Sequence, residues 1–107
     1  MRYGFYLPTR GPLGEPDAIA SIVEKGEALG FATIVIGDHI VFPTKVDSTY
    51  PYTVGGAFPG QGDALEQLTL MSFIAARTET TRLVTSVMIL PHRNPLVTAK
   101  VLATIDV

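Results

Sequence analysis

The chain has 107 residues, 47% of them hydrophobic, with 10 Gly, 8 Pro and no Cys, the composition of a folded domain rather than a disordered tail. Its formal net charge is −2 and its 8 basic residues form no cluster, which argues against nucleic acid or an anionic membrane surface as a partner. No apolar run approaches the roughly 20 residues that a bilayer span requires, and the chain opens on a strand-like segment rather than a leader. The absence of cysteine removes disulfides and thiolate chemistry and suits a reducing compartment, so a cytoplasmic location is expected.

Taken in chain order, Tyr3 to Leu7 is short, aromatic and β-prone, and the run from Pro8 to Pro12 ends it with turn chemistry. From Pro16 the period changes: Ile19, Ile22, Val23, Gly26 and Leu29 recur three and four residues apart, with Glu24, Lys25 and Glu27 on the other side. Pro16 fits the first turn of that helix, Asp17 places negative charge at the positive end of the dipole, and Gly30 provides the left-handed closure. Phe31 to Gly37 is apolar and β-branched without alternation, the pattern of a strand buried on both faces of a parallel sheet.

The segment from Asp38 to Asp63 is rich in Pro, Gly, Tyr and Thr and longer than most connections, and connections of that length tend to carry function. Helical composition returns from Ala64 to Ala76. A third strand is predicted from Leu83 to Leu90, and Asn94 with Pro95 supplies the cap and first residue of a third helix that runs through Leu96 to Val107. Strand, helix, strand, helix, strand, helix requires crossover connections and so predicts an α/β fold with parallel strands. A closed barrel of eight such units takes about 250 residues, so residues 1–107 read as the N-terminal portion of a barrel domain, apparently truncated. Such a segment exposes strand edges and is expected to self-associate as a homo-oligomer.

In parallel α/β proteins reactive groups gather where strands end. The second strand ends in Gly37-Asp38-His39, a carboxylate beside an imidazole that titrates near neutrality, the pair suited to proton transfer; the same pair would also serve to satisfy backbone amides. Thr85-Ser86-Val87-Met88 places small hydroxyls in an apolar strand, where they either bond locally or let a planar ligand approach. His92-Arg93 reads as an exposed basic loop or a cationic contact. Tyr50 and Tyr52 either cover a pocket or staple the loop down. There is no Gly-x-Gly-x-x-Gly turn, no phosphate-cradling Gly-Lys-Ser/Thr element and no His-x-His or His-Glu-x-x-His spacing, so no metal is assigned.

Leu29-Gly30-Phe31, Gly37-Asp38-His39-Ile40-Val41-Phe42-Pro43, Tyr50-Pro51-Tyr52 and the run from Thr85 to Pro95, in this order, resemble the luciferase-like monooxygenase superfamily. The version found here is similar to the branch that uses the deazaflavin coenzyme F420. The resemblance implies a (β/α)8 TIM barrel with a redox ring across its C-terminal mouth and hydride passing between the ring and a small-molecule organic substrate. It implies catalytic roles for Asp38 and His39. It also implies cofactor contacts from Asp38, Ser86, Val87 and Met88, with a cis peptide at Ser86-Val87. FMN is the alternative cofactor. A non-catalytic flavin-binding or barrel-fragment module is the alternative of a different class.

Overall fold

The computed structural model describes residues 1–58 and 64–107. Three strands, β1 (Gly4–Tyr6), β2 (Thr33–Ile36) and β3 (Arg82–Thr85), alternate with three helices, α1 (Pro16–Ala28), α2 (Gln67–Ala75) and α3 (Pro95–Ile105). The strands pair in the order β1-β2-β3, all parallel, with Phe5 opposite Ile34 and Ile34 opposite Leu83. This is the α/β alternation that the sequence predicts, in the arrangement of consecutive units of a (β/α)8 barrel.

Alternation along the strands sends Phe5, Ile34, Ile36 and Leu83 to one face, where they meet the helices. The core there consists of Leu7, Ile19, Val23, Ile34, Ile36, Leu68, Leu70, Met71 and Ile74, with Phe5, Leu83, Val101 and Ile105 packed against it. Tyr6 and Val84 stand on the other face and are 59% and 41% exposed. The helix α1 approaches β1 closely at Gly26, where an added Cβ would lie 2.6 Å from the Phe5 ring. Its C-terminus closes as the Gly30 signal requires: Gly30 takes φ 84°, and the amides of Gly30 and Phe31 donate back to the carbonyls of Glu27 and Gly26, the paired bonds of a Schellman motif.

Of the boundaries that differ from the sequence pattern, two build the site. The helix α2 starts at Gln67 rather than Ala64, because Glu66 is its N-cap and its carboxylate accepts from the Thr69 amide at 2.8 Å. Glutamate is a weaker cap signal than Ser, Thr, Asp or Asn. The ladder of β3 stops at Thr85 rather than Leu90. The Ser86-Val87 peptide is cis, as the resemblance implies, and the Ile89 amide leaves the sheet to donate to Asp38. Asn94 caps α3 as expected, accepting from the amides of Leu96 and Val97 at 3.0 and 3.2 Å.

At the N-terminal rim of the sheet, Glu27 reaches from α1 to the turn before β3. Its carboxylate accepts from the amides of Glu79, Thr80 and Thr81 at 2.7–3.1 Å and from the Thr80 and Thr81 hydroxyls at 3.0 Å. The Thr80 amide is the largest cause of a carboxyl pKa lowered to about 2, the other amides adding to it against partial desolvation.

Candidate functional site

The C-terminal ends of all three strands open on one cleft of about 850 Å³, lined by Tyr6, Arg10, Asp38, His39, Ser86 and Val87 among others. Parallel pairing forces this convergence, since each strand delivers its following loop to the same rim. Four of the sequence-predicted residues, Asp38, His39, Ser86 and Val87, therefore meet. Met88 does not line the cleft; it packs against the hydrophobic core.

The Asp38 side chain is fully enclosed, and Arg93 is 8% exposed. The Arg93 guanidinium makes a bidentate pair with it, Nη1 to Oδ2 at 2.5 Å and Nη2 to Oδ1 at 2.9 Å, and Oδ2 also accepts from the Ile89 amide at 2.7 Å. Burial pushes the Asp38 carboxyl up, but the hydrogen bonds from Arg93 and Ile89 and the guanidinium charge outweigh it, leaving the group below its ordinary range. Arg93 also donates to Glu66 Oε1 at 2.8 Å. One guanidinium, on the residue just before the cap of α3, thus joins the end of β2 to the cap of α2. The reading of Arg93 as an exposed basic loop is corrected: it is a buried counter-ion, and Asp38, whose two oxygens are taken by protein donors, is an anchor of the rim.

His39 keeps an ionisable group at the cleft. Burial lowers its pKa below the ordinary 6.5, the Arg10 charge lowers it further, and the Asp38 carboxylate opposes both. The imidazole is therefore neutral at pH 7. Its ring stacks on Phe42 with centroids 4.6 Å apart, and the Arg10 guanidinium lies 5.4 Å from the Phe42 ring centre. The ring contacts continue from Phe42 to Phe58, from Phe58 to Tyr50 and from Tyr50 to Tyr52. Neither tyrosine lines the cleft: Tyr50 packs against Phe58 within the loop, and Tyr52 is 84% exposed. Residues 59–63, the end of the long predicted connection, lie outside the described residues.

The Ser86-Val87 segment is held on both sides. The Ser86 amide donates to the Ile36 carbonyl at 2.9 Å, and the Tyr6 hydroxyl donates to the Ser86 carbonyl. Gln67 Nε2 donates to the Val87 carbonyl at 3.0 Å and to the Ile36 carbonyl at 2.8 Å. Gln67 was invisible to motif reading, but a signal was present: it occupies the same helical phase as Leu70, Met71 and Ile74, so it is a polar side chain on a buried stripe.

The sequence matches the luciferase-like monooxygenase family over residues 1–107. The chain belongs to that family. Its members generally bind flavin or F420 cofactors. Among curated relatives it is similar to uncharacterized proteins of Mycobacterium bovis and of two strains of Mycobacterium tuberculosis, each 33% identical over 81 residues. The matched stretch covers 74% of this chain and 28% of each relative. No helix among the described residues is long and apolar enough to cross a membrane.

Proposed function

We propose that this protein is an oxidoreductase that transfers a hydride between the deazaflavin F420 and a small organic substrate, acting in the cytoplasm as a homo-oligomer. The reading is supported above all by the meeting of His39, Ser86 and Val87 in one cleft on the rim where all three strands end. That cleft falls within the size range of small-molecule sites. Val87, 69% exposed, offers an apolar platform for one face of a flat ring. When bound, the ring would supply the two-electron chemistry, and the protein would position it and manage protons.

In this reading Ser86 and Val87 seat the ring, Met88 supports them from the core, and Asp38 holds the rim through the Ile89 amide rather than touching substrate. His39 is the catalytic residue. A neutral imidazole has a free nitrogen lone pair, so His39 takes up the proton that a substrate hydroxyl or comparable group releases as hydride leaves. A general acid with the same lowered pKa would be mostly deprotonated at pH 7, which disfavours that role.

The test is an absorbance titration of the protein at its natural length with F420 and with FMN, separately. Saturable binding of F420 is expected. Saturation by FMN alone would move the assignment to a flavin monooxygenase, and saturation by neither would overturn the proposal.

A further inference from the structure

Ser86, Val87 and Ile89 line the cleft, yet the groups that hold them there come from elsewhere in the chain. One of these groups does not belong to the cleft at all. Gln67 lies in the first turn of α2, is fully buried, and is absent from the cleft lining. Both protons of its amide nitrogen are committed, one to the Ile36 carbonyl at the end of β2 and one to the Val87 carbonyl. A planar amide has its two N–H directions fixed, so this single group sets where Val87 stands relative to the end of β2.

Packing alone does not account for a glutamine here. Its neighbours on the buried stripe are Leu70, Met71 and Ile74, and a methionine would fill similar space without an amide to desolvate. The Oε1 atom has no hydrogen-bond partner among the described residues, and a buried, unsatisfied acceptor is costly. What the glutamine alone supplies is a paired donor that ties the strand end to the rim segment.

We propose that Gln67 is a positioning residue, which fixes from the helix layer the height at which Ser86 and Val87 meet a bound ring. The inference rests on the proposal that this cleft seats a flavin-type cofactor. Sites of this kind depend on supporting residues to hold contact groups within about 0.5 Å of the productive geometry.

The experiment uses the protein at its natural length with three substitutions. Gln67→Met keeps the volume and removes both donors. Gln67→Asn keeps the amide but withdraws it by one carbon, and serves if the methionine variant does not fold. Ile74→Val, on the same helix and fully buried, lowers stability without touching the clamp. Titration with F420 and FMN is expected to show roughly ten- to a hundredfold weaker binding for the Gln67 variants, together with a changed absorption spectrum of the bound ring. Ile74→Val should keep wild-type affinity and spectrum. If the Gln67 variants lose stability while affinity and spectrum stay unchanged, Gln67 is structural only and the inference is overturned.

If the wild-type protein binds neither cofactor, the functional proposal fails on its own account. The positioning role is then decided by amide hydrogen exchange. Faster exchange at Ser86 and Ile89 in the Gln67 variants, with α1 unchanged, supports it; unchanged exchange at those two amides refutes it.

Discussion

At the N-terminal rim, Glu27 gathers the amides of Glu79, Thr80 and Thr81, and its hydrogen-bond donors among the described residues are all neutral. At the C-terminal rim, Asp38 gathers one amide, that of Ile89, and gives its remaining capacity to Arg93, which is bound in turn to Glu66. Each carboxylate ties a strand to a distant segment, but burial separates them. The Asp38 side chain is wholly enclosed and requires a buried counter-ion, whereas Glu27 is only partly covered and is satisfied by neutral dipoles. The lower rim is thus a set of independent bonds and the upper rim an interlocked network, in which the loss of one member strands another.

The comparison breaks most sharply at Arg93. Replacing it by leucine leaves Asp38 buried without its cation, and a loss of about 3–5 kcal/mol is expected, measured by urea denaturation. Retention of wild-type stability would show that Asp38 is hydrated or protonated at little cost, and the contrast between the rims would disappear.

His39 tests the chemical side of the upper rim. His39→Ala should leave the thermal midpoint nearly unchanged and lower kcat by about a hundredfold or more. If the proposed activity holds, kcat/KM of the unsubstituted protein should be flat near neutrality. It should fall as the pH drops through a pKa below 6.5, because protonation removes the lone pair that accepts the proton. A rate that rises on acidification would assign His39 the opposite role.

Glu27 sharpens the lower rim and gives the smallest effect. Its pKa is lowered on folding, so its contribution is complete above the ordinary 4.5 and is lost as pH falls toward about 2. Glu27→Gln should therefore be less stable than the parent at pH 7, by less than the Arg93 variant, and the difference should shrink across that acid window. A constant difference down to pH 2 would mean that shape rather than charge matters there.

The parts that were legible in the sequence are those that repeat locally. The three- and four-residue spacing of α1, the apolar run of β2 and the Asn94-Pro95 start of α3 each state their structure within a few residues. Their order implies parallel pairing, and that pairing places Asp38, His39 and Ser86 on one rim. The parts that were not legible are pairings over long separations. Nothing around Arg93 indicates that a carboxylate 55 positions away will enclose it. The end of β3 was hidden for a related reason: Ser86 to Leu90 is as apolar as a strand should be, and it leaves the ladder because Asp38, Tyr6 and Gln67 take its backbone groups.

Arg93 is followed directly by Asn94, so the buried ion pair and the start of α3 are set by adjacent residues. The rim and the third helix consequently share one origin. Inserting a single residue between them would let the pair form or let the helix begin in its present place, but not both, and α3 would turn by about 100° about its own axis relative to the cleft. The dipeptide acts as a phase marker, converting a charge contact at the mouth into the angular setting of the outermost helix.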